Sequence, residues 1–160
     1  MLEYLLPGVQ HLQNVHPLTV HFPIAFLVGA ALFYGAAWIL KRSSLATTAF
    51  WLLLAGAVSA SVAVGTGLYA EDGVMISHSV RAHLLDYHEK LMMVTLGLSV
   101  WLAFWASIAR PFPRKGRTIF MLLCAILLVI MTLGADYGAR MVYDYNAGGN
   151  ACSQPIEYTR

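Results

Sequence analysis

The sequence predicts an all-α protein, a bundle of four transmembrane helices with both termini on the extracytoplasmic side. Three observations lead to this prediction. The chain is 59% hydrophobic and only 11% charged, it contains four long uncharged apolar runs, and the loops between those runs differ sharply in charge. Soluble domains carry about 25% charged residues. So few charges cannot cover a surface that faces water, and the surplus apolar surface therefore faces lipid.

Each of the four apolar runs is long enough to cross a bilayer, because each holds at least 18 residues without a charge. A hydrocarbon core about 30 Å thick requires about 20 residues of helix. Backbone groups in lipid have to bond within their own segment, which excludes open strands. The runs comprise residues 22–40, 48–70, 91–109 and 118–135.

The local signals at the run ends set the expected helix bounds within a single domain, residues 1–160. No helix breaker follows Gly73, so we expect the third helix to begin near Ser77, outside the membrane. Small residues fill 55–67 of the second run, where they allow close packing of helices or of a flat ligand. The expected helices are about 17–40, 47–70, 77–109 and 118–143, followed by an extracytoplasmic tail at 144–160.

The orientation follows from the basic residues of the two short loops. Lys41 and Arg42 lie between the first two runs, and four further cations lie between the last two, at 110–117. All eight acidic residues lie on the other side of the expected membrane. The positive-inside rule therefore places the short loops in the cytoplasm of a bacterial inner membrane. The termini and residues 71–90 then face the periplasm.

All six histidines lie on that periplasmic side, and this segregation points to a site. His21 immediately precedes the first apolar run and His88 closely precedes the third, on helices that run in the same direction. The two imidazoles are thus expected at similar depth, as axial ligands of one b-type haem. Arg81 and Arg140 are candidates for the haem propionates, because a guanidinium matches a carboxylate. The six are His11, His16, His21, His78, His83 and His88.

The spacing of the histidines leaves room for a second haem or a metal ion. His16 precedes His21 by five residues, and His78, His83 and His88 are also five apart. Five residues turn a helix about 140° past a full turn, so such neighbours face different partners. His16 with His83 or His78 would form the second site. An uncoordinated histidine cluster acting as a pH switch is the competing interpretation.

The opening of the first helix also resembles a known family. His16, Pro17, Val20, His21, Phe22 and Pro23 match the pattern His-Pro-x-x-Val-His-Phe-Pro. This is similar to the start of a bacterial family of small four-helix inner-membrane proteins of unknown function. The resemblance implies the four-helix fold, a histidine opening the third helix (His88), and an end of the fourth helix matched by Gly134, Gly138, Val142 and Tyr143. Members of that family often look like companions of redox proteins.

These patterns favour a membrane-bound, cytochrome b-like electron-transfer subunit with a c-type cytochrome or a larger redox complex as partner. Neither Cys124 nor Cys152 belongs to a CxxCH motif, which excludes a c-type haem attached to this chain. The alternative is a non-haem accessory or assembly subunit. A metal or proton transporter is disfavoured, because no run holds an ionisable residue at mid-membrane. An electron-transfer or accessory subunit is favoured over a stand-alone enzyme, because the sequence shows no nucleophile beside a base and no phosphate loop.

Overall fold

Four helices dominate the computed structural model, which describes residues 15–71, 73–74 and 76–147. All four are long and apolar enough to cross a membrane, and no strand occurs within the described ranges. The predicted all-α fold of four membrane-spanning helices is therefore confirmed, and the side on which the termini lie stays a prediction. The helices are α1, Val15–Leu40; α2, Ser43–Glu71; α3, His78–Ala109; and α4, Arg117–Tyr143.

The helices pack as two antiparallel hairpins. α1 and α2 form the first hairpin, joined by Lys41 and Arg42, while α3 and α4 form the second, joined by residues 110–116. α2 packs on α3 and α1 also packs on α4, so the four helices close into a bundle. We call the end that carries these two short loops the basic end. The opposite end, where α1 and α3 begin, is the histidine end.

α1 begins earlier than its apolar run. Helical structure starts at Val15 and shows a local irregularity at Val20. Pro23 has no N–H to donate to the carbonyl of the residue four positions earlier, which accounts for the irregularity. Helical hydrogen bonds nevertheless continue across it, because the Val20 N–H donates to the His16 carbonyl at 3.1 Å. The first turns of α1 therefore belong to the bundle.

α3 begins at His78, with Ser77 as its N-cap. The Ser77 hydroxyl accepts a hydrogen bond from the Val80 N–H at 3.2 Å. Residues Arg81–Leu85 then form a π-helical turn before regular α-helix resumes at Asp86. A π-helical turn holds one extra residue. The extra residue therefore changes the angle around α3 between His88 and the two earlier histidines, His78 and His83. Counting at 3.6 residues per turn does not give this angle.

The small residues of α2 are used mainly for close packing between helices. Buried alanines face the neighbouring helices along its length, and Gly56 lies directly against Leu27 of α1. A Cβ added at Gly56 would approach the Leu27 Cδ2 atom to 2.6 Å. Of the two roles expected for these residues, close packing thus applies at Gly56. Gly67, further along α2, faces an imidazole.

An aromatic cluster closes the basic end. Tyr34 is fully buried in α1, and its hydroxyl donates to the Pro111 carbonyl at 3.0 Å. Its ring lies 4.8 Å from that of Phe112 and 5.1 Å from that of Phe120. The loop between α3 and α4 is therefore folded against the bundle. Large apolar side chains such as Ile39 and Ile108 point outward, as lipid-facing helices require.

Candidate functional site

The imidazoles of His16 and His88 meet at the histidine end, between the two hairpins. Their ring centroids are 6.5 Å apart and the ring planes are nearly perpendicular, at 87°. Both side chains are half-buried. His16 comes from the first turn of α1 and His88 from α3, so each hairpin contributes one ring.

His16 is fixed to α2 of its own hairpin. Its Nδ1–H donates to the Ala63 carbonyl at 3.0 Å, and the Thr66 hydroxyl lies 3.3 Å from the same nitrogen. The Thr19 hydroxyl in turn lies 2.9 Å from that of Thr66. A carbonyl oxygen can only accept, so the proton of the neutral ring resides on Nδ1. The orientation and the tautomer of His16 are therefore set by α2.

His88 is fixed to α4 in the same manner. Its Nδ1–H donates to the Gly134 carbonyl at 2.8 Å. This again assigns the proton of the neutral ring to Nδ1. The neighbouring residue Tyr87 stacks on Tyr137 of α4, with ring centroids 5.8 Å apart and planes at 18°. α3 is thus held in register with α4 at Tyr87 and at His88.

A glycine lies beneath each imidazole. A Cβ added at Gly67 would meet the His16 Cε1 atom at 2.9 Å, and one added at Gly138 would meet the His88 Cε1 atom at 3.0 Å. Both distances are too short for an ordinary carbon–carbon contact. In each hairpin the glycine follows the carbonyl-bearing residue by four positions, as in Ala63 and Gly67. In each hairpin, one turn of the facing helix therefore provides the carbonyl that accepts the hydrogen bond and the glycine that leaves space for the imidazole.

The two Nε2 atoms remain available. Within the described part of the chain neither of them makes a hydrogen bond, and no side-chain nitrogen or oxygen there is both buried and unpartnered. Each Nε2 therefore retains accessible surface. A neutral imidazole protonated at Nδ1 carries its lone pair on Nε2, the form that ligates metals. Ligating histidines commonly donate the other N–H to a backbone carbonyl, as both do here.

The spacing of the rings suits two ligands on one metal. Two Nε2 atoms that point at one ion, each about 2 Å away, place the imidazole centroids roughly 6 Å apart. The observed separation is 6.5 Å. Among the described residues, no group of three or more His, Cys, Asp or Glu side chains is arranged to hold a metal ion. A metal held here needs its other ligands from elsewhere, and a porphyrin supplies four nitrogens.

The other candidate histidines lie apart from this pair. His21 is exposed on α1, so the structure brings His16 rather than His21 against His88. His78 is also exposed. His83 is exposed and its Nδ1–H donates to the Ser79 carbonyl at 2.8 Å, within its own helix. His11 lies outside the described residues.

The two candidate arginines both lie at the histidine end. The Arg81 guanidinium donates to the Glu71 carboxylate at 2.6 Å, which links α3 to the end of α2. Glu71 follows Gly67 by one helical turn, so this ion pair is close to the histidine pair. Arg140 lies 3.7 Å from Asp144, just beyond the end of α4, and is more exposed. Arg81 is thus the more firmly positioned of the two.

The sequence pattern singles out His88, but the sequence analysis did not single out the two glycines that lie beneath the imidazoles. The signal was present: a small residue precedes a glycine by four positions at Ala63–Gly67 and again at Gly134–Gly138. Counting from the start of the apolar run also underestimates how far α1 extends beyond that run at the histidine end. His16 precedes His21 by five residues, which corresponds to about 7.5 Å of helix.

The comparison with protein families gives a clear result. The family model described as "Predicted membrane protein (DUF2231)" matches residues 12–151. The chain belongs to the DUF2231 family. This confirms the resemblance to a membrane family of unknown function, and the DUF2231 match includes His16, His88 and the glycines beneath them. No curated protein and no solved structure gives a significant match.

Proposed function

We propose that this DUF2231 protein is a membrane-bound electron-transfer subunit that holds one b-type haem between His16 and His88. The observation that supports it is the paired arrangement of the two imidazoles. Each ring is fixed through its Nδ1–H to a backbone carbonyl of its own hairpin, and neither Nε2 makes a hydrogen bond to any of the described residues. This arrangement suits two axial ligands that approach an iron from opposite sides.

In this proposal His16 takes the role first assigned to His21. The two residues lie about 140° apart around α1. His16 faces the second hairpin, whereas His21 is exposed. Because His16 is used in the first pair, a second haem ligated by His16 and His83 is not part of the proposal.

The residues around the pair would set the properties of the bound group. The haem iron, when bound, supplies a one-electron ferric–ferrous couple. His16 and His88 would hold the iron, and two histidine ligands would favour electron transfer over oxygen binding. Gly67 and Gly138 keep the rings close to the helix backbones. Arg81, already oriented by Glu71, is the better placed candidate to bind a propionate, and Arg140 is the second.

The charge distribution supports a periplasmic electron partner. With both short basic loops in the cytoplasm, the histidine end faces the periplasm. The described acidic residues all lie towards that end: Glu71, Asp86, Glu89, Asp136 and Asp144. A c-type cytochrome with a basic face would be steered to such a surface. A larger redox complex that binds the same face is the other partner consistent with the proposal.

A spectrum of the purified protein tests the proposal. Protein extracted from its native membrane in mild detergent should show a reduced-minus-oxidised spectrum of bis-histidine haem b, with one haem per chain. A folded, colourless preparation that does not take up added haem would overturn it. That outcome would favour the accessory-subunit alternative, in which His16 and His88 serve only as hydrogen-bonded links between helices.

A further inference from the structure

The basic end carries an unbalanced concentration of charge. Six cations lie in or beside its two loops, and the sequence has no acidic residue between positions 4 and 70 or between 90 and 135. None of the six makes an ion pair within the described ranges, where the ion pairs observed lie at the histidine end. Five of them are exposed. The six are Lys41, Arg42, Arg110, Arg114, Lys115 and Arg117.

The loop between α3 and α4, which carries three of these cations and precedes a fourth, Arg117, has a fixed shape. Its Pro111 carbonyl accepts the Tyr34 hydroxyl, and Phe112 is buried against the Tyr34 ring. Gly116 adopts a left-handed conformation, with φ of 76°, and lies against Trp105. A Cβ at Gly116 would approach the Trp105 Cζ2 atom to 3.0 Å. The loop backbone that carries these cations is therefore packed against the bundle.

Two of the guanidinium groups are braced by the backbone. The Arg110 Nε–H donates to the Ser107 carbonyl at 3.2 Å, and the Arg117 Nε–H donates to the Pro113 carbonyl at 3.3 Å. The Arg117 guanidinium also lies over the Phe112 ring, 4.8 Å from its centroid. Among residues 15–71, 73–74 and 76–147 no acceptor binds the Nη groups of either arginine, so these groups can bind another acceptor. Paired N–H donors of this kind match the oxygens of a phosphate.

The depth of the loop fits the headgroup layer of a bilayer. Trp38 lies near the end of α1 and Trp105 near the end of α3, about one turn before each loop. Tryptophan is enriched at the membrane–water interface. Arg117 is moreover the first residue of α4, where the helix dipole adds partial positive charge. The cations are thus expected at the depth of the lipid phosphates.

We propose that the basic end binds the phosphate headgroup of an anionic phospholipid, in a site formed by Arg110, Arg114, Lys115 and Arg117. The occupant is assigned by charge complementarity: unpaired cations on a rigid loop at headgroup depth, next to a lipid-facing surface. Anionic headgroups attract such clusters, with each cation adding to the affinity. This inference does not depend on haem binding, and the two can fail separately.

The test uses the full-length protein purified in a neutral detergent, with phosphatidylglycerol and phosphatidylcholine as probes. Native mass spectrometry should show phosphatidylglycerol retained on the protein, and phosphatidylcholine lost at the same activation energy. Phosphatidylglycerol should also raise the melting temperature, and added salt should reduce that effect. Equal retention of the two lipids would overturn the proposal.

A pair of double variants locates the site. Arg114→Gln with Lys115→Gln removes two exposed cations from the loop, and phosphatidylglycerol should then bind roughly thirtyfold more weakly. Lys90→Gln with Arg140→Gln removes the same charge from the histidine end and should leave lipid binding unchanged. Four cations remain at the basic end in the first variant, which keeps the charge bias for orientation. An equal loss in both variants would contradict the assigned site.

Discussion

The imidazole of His16 lies 6.5 Å from that of His88, although the two residues belong to different hairpins. Each ring makes its hydrogen bond within its own hairpin, to Ala63 or to Gly134, and each rests on a glycine one turn further along. The contact between the rings therefore joins two halves that are built alike. The hairpins present their histidines to each other without needing a side-chain bond between them.

Alanine substitution at the histidines distinguishes the two possible ligand pairs. His16→Ala and His88→Ala should each abolish the haem spectrum, because each removes one axial ligand. His21→Ala should retain it, since His21 is exposed. Absorbance spectra and haem-to-protein ratios provide the measurement, and His83→Ala, also exposed, is the control. Loss of haem from His21→Ala with retention in His16→Ala would restore the pairing expected from sequence.

Glycine substitution tests how closely the imidazoles must approach the helices. Gly138→Ala places a methyl group 3.0 Å from the His88 Cε1 atom, which should displace the ring and weaken haem retention. Gly67→Ala should do the same at His16. Haem retention during gel filtration is the measurement.

Gly97→Ala is the matched control for the glycine variants, because an added Cβ there meets nothing within 4 Å. It should retain haem and raise the stability of the helix by about 0.5–1 kcal/mol. If all three variants retained haem equally, the close contacts at Gly67 and Gly138 would be irrelevant to the site.

The ion pair between Arg81 and Glu71 offers a test of the charge near the proposed haem. Arg81→Gln removes a cation, which stabilises the ferric form and should lower the midpoint potential. Glu71→Gln removes an anion and should raise it. Redox titration monitored by absorbance measures both. An unchanged midpoint potential in both variants would show that the charges of Arg81 and Glu71 do not affect the redox equilibrium of the proposed haem.

Tyr34 should stabilise the basic end through its hydroxyl. Tyr34→Phe removes the hydrogen bond to the Pro111 carbonyl and should reduce the free energy of unfolding by about 1 kcal/mol. Hydrogen exchange should also become faster at the Phe112 amide. Tyr143→Phe is the control, because Tyr143 is 85% exposed. Similar losses of unfolding free energy in both variants would mean that the buried hydrogen bond of Tyr34 stabilises the protein no more than an exposed tyrosine hydroxyl does.

The sequence by itself determined the membrane fold. Four uncharged runs are each long enough to cross the hydrocarbon core, and lipid offers no partner for unpaired backbone groups, so helices follow directly. The position of the histidines at one end follows from the same four runs. Successive helices cross the membrane in opposite directions, so α1 and α3 both begin at that end. Ser77 as the start signal of α3 was also readable, since a serine N-cap acts locally.

Only the tertiary structure decided which histidine faces His88. That choice depends on the rotation and the depth of α1, and five residues separate the alternatives by about 140° and 7.5 Å. Neither quantity is encoded in the length of an apolar run, because α1 begins at Val15, ahead of that run. Rotation is fixed by packing against α2, where Gly67 admits the His16 ring and Ala63 supplies its acceptor. Contacts between helices thus determine the arrangement of the site, whereas the hydrocarbon core that each helix must cross determines the fold.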